Sequence, residues 1–316
     1  MSLAGLSLRD LEYLVAVAEC RHFGRAATRC GVSQPSLSAQ IRKLEALLDT
    51  RLFERMPGHV AVTPKGEAVV AQAQVVLHEA RVLLERARGP DRKLAGRFRL
   101  GAIPTLGPYL LPRALRSIRQ AFPDLDLALS EGRTEELITA LRHGELDGAL
   151  VCRPASEDGL SIQPLFVEPF LLIHRPEDAL HWPPDDYGGN IVVLDEGNCL
   201  RDQALTACQG GASIAPRCAT GVEMLRHMVA AGEGFSLMPA LAAQALGTLG
   251  GRIAYTTIEE ATLSRDVVLA VRASDPRVRH IATLAELIQS AQGLAADATV
   301  RPVAGDMVGP GSGSAP

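Results

Sequence analysis

Apolar positions near the start of the chain recur with a helical period. Leu11, Leu14, Val15 and Ala18 fall at i, i+3, i+4 and i+7, one face of a helix. Phe23, Ala26 and Ala27 share one side of a shorter second helix, which Gly31 ends as a glycine past a helix C-terminus does. Ser33 reads as an N-cap and Pro35 as a first-turn residue whose missing N–H costs nothing. In the third helix Leu37, Ile41, Leu44 and Leu48 repeat at i, i+4, i+7 and i+11, while Gln34, Ser36, Ser38, Gln40, Arg42 and Lys43 occupy the other side. Two short helices around a glycine turn, the second with a hydrogen-bonding face, fit a helix-turn-helix. The pattern alone fits a three-helix bundle with one solvated face equally well.

From Thr63 to about Arg88 a single long helix is predicted. Its stripe of Val69, Ala73, Val76, Leu77, Ala80 and Leu84 needs a partner, and the same helix of a second subunit is the simplest one. Gly89-Pro90 stops it. Beyond Arg97 the period changes. Strand-like runs at 98–103, 125–129, 148–151, 170–173, 190–194, 235–238 and 267–271 alternate with amphipathic stretches at 110–121, 134–143, 200–208 and 222–231. That alternation predicts an α/β domain with largely parallel sheets. From about Ala295 the chain is rich in Gly, Pro, Ala and Ser, which predicts a disordered tail over 295–316.

Composition narrows the function. The 316 residues suffice for two domains. The first residues lack a basic start and a long apolar run, and no uncharged stretch is long enough to span a bilayer, so no secretory signal, no membrane and a cytoplasmic location are expected. Residues 1–66 hold nine Lys/Arg against six acids, a local +3 in a chain of −4, leaving −7 for the rest. A basic head on an acidic body suits a polyanion at one end. The six cysteines form no CxxC pair and no cluster with His at ligand spacing, so neither a metal nor another cofactor is expected.

The run from Phe23 to Glu45 (FGRAATRCGVSQPSLSAQIRKLE) closely resembles the DNA-binding head of LysR-type regulators. Arg51-Leu-Phe-Glu-Arg55 and Val62-Thr-Pro-Lys-Gly66 resemble that family's wing and linker start. The stretches 101–112 and 229–239 resemble its effector domain. The resemblance implies a winged helix-turn-helix over 1–62, a linker (dimerisation) helix over 63–90, and a two-lobed regulatory domain over 91–294 with the architecture of periplasmic solute-binding proteins. Lobe I would cover about 97–166 and 272–294 and lobe II about 167–271, with crossings near Phe166–Glu168 and Val268–Arg272. It further implies that Gln34, Pro35, Ser36 and Ser38, with Ser33 beside them, enter the major groove of promoter DNA. Arg55 would hold phosphate or reach the minor groove. Self-association as a dimer or homotetramer and contact with RNA polymerase belong to the same expectation.

Leu194 to Cys208 (LDEGNCLRDQALTAC) resembles the redox loop of the family's hydrogen-peroxide-sensing members, with Cys199 and Cys208 nine residues apart. The resemblance implies that Cys199 senses peroxide and Cys208 resolves it. Cys199 lies at a predicted helix N-terminus, where unpaired N–H groups favour a thiolate. A thiolate gives a sulfenic acid with peroxide, which condenses with a second thiol. If 199–208 is helical, the two Cα atoms lie roughly 13 Å apart, whereas a disulfide needs less than about 7 Å; oxidation then requires the helix to rearrange. The same resemblance places Thr105 and Thr134 as hydrogen-bonding partners of peroxide, Arg272 as the positive charge beside Cys199, and Asp202 as the residue that fixes the loop. Asn198, which the resemblance also places in the peroxide pocket, stands where these relatives usually have His, which leaves the helix N-terminus and Arg272 to activate the thiol. Cys20, Cys30, Cys152 and Cys218 read as ordinary buried thiols, Cys218 being near enough in sequence to compete for oxidation.

Three other readings stay open at this stage. One is a LysR-type regulator that binds a small organic effector between its lobes, with incidental cysteines. The others are a solute-binding protein, which the head and the missing signal disfavour, and a thiol peroxidase, for which no reductant site is apparent.

Overall fold

The computed structural model describes residues 5–56, 59–88, 94–178, 180, 182, 190–207, 216–258 and 263–293. They form two compact units. One holds the head and the long helix together with Thr139–Leu146 and Ser274–Pro276, and the other holds the remaining described residues.

In the first unit, α1 (Leu8–Cys20), α2 (Phe23–Cys30) and α3 (Gln34–Leu47) precede a hairpin of β1 (Phe53–Met56) and β2 (His59–Val62) and then α4 (Pro64–Arg88). Ser7 and Asp10 close a capping box on α1, Gly31 ends α2 at φ 67°, and Ser33 caps α3 by accepting from the Ser36 N–H. Leu14, Ala26, Ala27, Leu37, Ile41 and Leu44 meet in one core. The long helix differs from expectation. Its first half joins that core through Val70, Ala73 and Leu77, so only part of the predicted stripe is left over; Val76, Leu83 and Leu84 stay exposed.

Beyond α4 the chain runs β3 (Gly96–Ala102), α5 (Gly107–Ala121), β4 (Leu125–Glu131), α6 (Thr134–Arg142), β5 (Gly148–Cys152) and β6 (Leu160–His174). It continues through β7 (Val192–Leu194), α7 (Cys199–Ala207), β8 (Arg217–Ala219), α8 (Val222–Ala230), β9 (Ser236–Pro239), α9 (Ala240–Leu246), β10 (Ala254–Thr257), β11 (Ser264–Arg272) and α10 (Val278–Ser290). One sheet has the order β10-β6-β11-β5-β3-β4, with β9 also on β6, and β7 pairs with β8. Among the described strands β3–β4, β3–β5 and β7–β8 pair in parallel, whereas β11 and β6 run antiparallel to their neighbours, so the sheet is mixed rather than largely parallel.

The 15-residue β6 serves both lobes. Leu160–Pro169 pairs with β11, and Phe170–His174 pairs with β9 and β10. Its change of partners falls one residue past the expected crossing. The second crossing is displaced further. β11 pairs with β5 over Val267–Ala270, so these residues already lie in the first lobe's sheet, and the crossing precedes Val267 instead of lying near Val268–Arg272. Arg265 and Glu168 therefore face each other in register where both strands cross. The second lobe has its own core of Phe170, Ile191, Val193, Leu200, Leu225 and Leu237, against which Trp182 packs. The predicted tail lies outside the described residues. No helix among those described is long and apolar enough to cross a membrane.

Candidate functional site

Three of the chemically relevant residues sit at the carboxyl ends of the parallel strands. Thr105 follows β3, Thr134 follows β4, and Cys152 ends β5. Such edges are where open α/β sheets collect ligands. From the second lobe, Cys199 is the first residue of α7, and from the crossing strand comes Arg265.

Arg265 organises the cluster. Its side chain and that of Glu168 are fully buried, with Arg265 Nη2 2.7 Å and Nε 2.9 Å from Glu168 Oε2. Nη1 donates to Thr105 Oγ1 at 2.8 Å, and Nη2 to the Thr105 carbonyl at 3.0 Å. The other Glu168 oxygen accepts from the Leu241 N–H at the start of α9 at 2.8 Å. A buried ion pair survives only when its remaining donors and acceptors are satisfied in this way.

Cys199 is partly exposed, Cys152 is buried, and their sulfurs lie 3.1 Å apart. The Cys199 thiol is pushed down to about 6, first by the hydrogen bond from Cys152, then by the charge of Arg265, the Leu200 backbone N–H and a hydrogen bond from Arg265, against the opposing effect of burial. Cys152 is pushed well above the ordinary thiol range by the same hydrogen bond and by its own burial. Both influences favour the negative charge on the more exposed Cys199 and the proton on Cys152. A thiolate at neutral pH, open to a small molecule and faced by a fixed cation, is a nucleophile.

The loop before Cys199 is held locally. Asn198 Nδ2 donates to the Asp195 carbonyl at 3.1 Å, and Arg201 Nη1 donates to the Leu194 carbonyl at 3.0 Å and to Cys218 Sγ at 3.2 Å. Gly197 has φ 84°, and a Cβ there would lie 2.9 Å from Arg133 Cδ, which sets the start of α6 against this loop. Beside that contact Thr134 Oγ1 is buried with no hydrogen-bond partner, a cost unless something else fills the role.

Several expectations change. Arg272 does not face Cys199. It lies 3.6 Å from Asp147, which also binds Arg99 at 3.0 Å and Arg277 at 3.1 Å, and Arg265 takes the place assigned to it. The physical reason is position along the strand: Val267 is the β11 partner of Cys152, and Arg272 lies five residues further on, about 16 Å at the rise of a strand. Asp202 is exposed in the first turn of α7, and the loop is fixed instead by Asn198 and Arg201. Cys152 is buried but not isolated, and Cys218 is exposed instead of buried. Cys208 lies outside the described residues; α7 is helical up to Ala207. Sequence reasoning missed Arg265, Glu168 and Cys152. The position of Cys152 at the end of the apolar run 148–151 was the available clue.

In the head, Ser33, Gln34, Pro35 and Ser36 are exposed at the N-terminal end of α3, and Ser38 is half-buried. Arg55 lies on β1 opposite Val60; its side chain is outside what the structure describes. An exposed helix start bearing amide and hydroxyl groups, beside a two-stranded wing, is the surface that enters a DNA groove in helix-turn-helix proteins.

Comparison with known proteins agrees with both halves. Residues 8–67 match the model of bacterial regulatory helix-turn-helix proteins of the lysR family, and residues 91–293 match the LysR substrate binding domain. The chain is 40% identical over 292 residues to the DNA-binding transcriptional dual regulator OxyR of Escherichia coli, covering 90% of this chain and 95% of that one. Among solved structures, a cysteine-to-aspartate variant of full-length OxyR from Pseudomonas aeruginosa superposes with a TM-score of 0.75 at 37% identity, covering 90% and 97% of the two chains. A hydrogen-peroxide-bound cysteine mutant of Corynebacterium glutamicum OxyR gives 0.60 at 32% identity, covering 92% and 96%. The chain belongs to the LysR family of bacterial regulatory helix-turn-helix proteins, in the group that holds the OxyR proteins.

Proposed function

We propose that this protein is a transcription regulator that senses hydrogen peroxide through Cys199 and changes its grip on promoter DNA in response. The carrying observation is the partly exposed Cys199 sulfur at the start of α7, 3.1 Å from Cys152 and beside the buried Arg265 cation, which favours its charged form. The thiolate attacks one peroxide oxygen, the O–O bond breaks, and the departing hydroxide takes up a proton to become water, leaving a sulfenic acid on Cys199. Arg265 and the Thr105 hydroxyl it fixes are donors suited to the charge that develops on the leaving oxygen. The partnerless Thr134 hydroxyl is the second group we assign to the peroxide. Condensation with Cys208 is the outcome that similarity to peroxide-inducible regulators supports, and it requires α7, helical up to Ala207, to give up its last turns.

Counting free thiols after one equivalent of peroxide tests this reading. Wild-type protein should lose two thiols and Cys199→Ser none. An unchanged count in the wild type would favour a regulator answering to a small organic effector.

On the DNA side, Gln34 and Ser38 are assigned to base edges and Arg55 to the phosphate backbone. Gln34→Ala should lower discrimination between specific and random DNA by about 1–3 kcal/mol. Arg55→Ala should weaken both and flatten the log–log salt slope by about 0.9, the value of one phosphate contact. Binding titrations at several salt concentrations separate the two, and an unchanged slope for Arg55→Ala would remove its phosphate role. Self-association as a dimer or homotetramer, reading two half-sites, would cover Val76, Leu83 and Leu84, which a single chain leaves exposed. Contact with RNA polymerase and a cytoplasmic location complete the reading.

A further inference from the structure

Resting on the peroxide reading above, we infer that Cys152 is the thiol that first resolves the oxidised Cys199, forming a Cys152–Cys199 disulfide in place before α7 rearranges. The two sulfurs are 3.1 Å apart. Closing to the bond length of about 2.05 Å asks for a displacement of roughly 1 Å, within the reach of side-chain rotation. Reaching Cys208, by contrast, requires helical turns to be lost first. Loss of helix involves local unfolding, whereas the Cys152 thiol already touches its target.

The chemistry balances without another reactant. Peroxide converts the Cys199 thiolate to Cys199–SOH with release of hydroxide. The Cys152 sulfur then attacks the Cys199 sulfur, the S–O bond breaks, and the hydroxyl leaves with the Cys152 proton as water. Sulfur is oxidised at both residues by one electron pair in total, and the pair is taken by peroxide. The elevated acidity threshold of Cys152 belongs to the resting state, in which its proton is shared with a thiolate. Once Cys199 carries the oxygen, that thiolate charge is gone and the reason for Cys152 to hold its proton is reduced, while Arg265 stays beside both sulfurs.

A structural consequence follows. Cys152 ends the fully buried central strand β5, and Cys199 begins α7. A bond between them pins the helix start to the sheet in the arrangement seen here, which protects the sulfenic acid from further peroxide without moving the lobe. Pairing with Cys208 then proceeds by thiol–disulfide exchange at the Cys199 sulfur, and Cys152 returns to the thiol.

The test uses the full chain, one equivalent of hydrogen peroxide, rapid acid quenching, alkylation and mass-spectrometric mapping of linked peptides. Wild type should show the Cys152–Cys199 link at the earliest times. Cys208→Ser should still lose two thiols per peroxide and give no dimedone adduct. Adding Cys152→Ala to Cys208→Ser should leave one thiol lost and a dimedone-trapped sulfenic acid on Cys199. If Cys208→Ser instead accumulates the dimedone adduct while Cys152 remains alkylatable, the inference fails and the peroxide reading stands. If Cys199 of the wild type is not oxidised at all, both fail. Because Cys208→Ser leaves the described cluster intact, this outcome does not depend on how well the Cys152→Ala variant folds.

Discussion

Arg265→Met is expected to reduce the rate of Cys199 oxidation by peroxide about a hundredfold at neutral pH, and to destabilise the second unit. Two effects combine in the rate. The thiolate loses the cation that helps hold it ionised, and the leaving oxygen loses a donor whose removal in comparable sites costs about 10²–10³. The stability loss has a separate origin. Glu168, fully buried, is left without its counter-charge, and breaking such a pair costs about 3–5 kcal/mol. For a domain of this size that is a fall in Tm of about 6–20 °C. The double variant Arg265→Met, Glu168→Gln separates the two. Glutamine keeps an oxygen for the Leu241 N–H and removes the unpaired charge, so most of the Tm should return while the rate does not. Arg272→Met serves as the control. It disturbs the Asp147 cluster and should lower Tm, yet leave the rate within about twofold. Stopped-flow oxidation kinetics together with calorimetry read both quantities. A double variant that recovered wild-type rate along with its stability would remove Arg265 from the chemistry.

The rate should also follow pH with a midpoint near about 6. The sign is that of an acid whose charged form is stabilised: above the midpoint Cys199 is thiolate and the rate is flat, and below it the rate falls tenfold per unit as the thiol gains its proton. An ordinary cysteine, titrating near about 8.5, would instead keep gaining rate through neutrality. Cys152→Ala should move the midpoint upward, because the hydrogen bond from Cys152 is the largest influence lowering it. Asn198 should matter little to this profile, since its amide is already engaged with the Asp195 carbonyl. A midpoint that stayed in place in Cys152→Ala would assign the low value to Arg265 and the helix N-terminus alone.

The head was readable because its helices are short, amphipathic and punctuated. Leu37, Ile41 and Leu44 are buried at the spacing that predicted them, and Ser33 and Gly31 bound α2 and α3 as their chemistry requires. The second unit was legible as alternating strands and helices, but apolar runs carry no information on strand direction. That is why a mixed sheet read as largely parallel, and why the short, partly polar strands Arg217–Ala219 and Ala254–Thr257 were missed. The candidate site was legible where it is local: Cys199 at a helix start is a statement about nearest neighbours in the chain. It was not legible where it depends on register. Whether Arg265 or Arg272 faces the sulfur is decided by which residue of β11 meets Glu168, and the sequence does not print that pairing. Cys152 and Cys199 are 47 positions apart and meet only because β5 and α7 end at the same edge of the sheet.

The most direct test of peroxide sensing is a footprint of the full-length protein on its promoter DNA, taken before and after one equivalent of hydrogen peroxide. Wild type should change its pattern of protected bases on oxidation and regain the first pattern after reduction with dithiothreitol, and Cys199→Ser should show the reduced pattern throughout. A wild-type protein whose thiols are fully oxidised but whose footprint does not change, or a Cys199→Ser variant whose footprint still shifts with peroxide, would contradict the account.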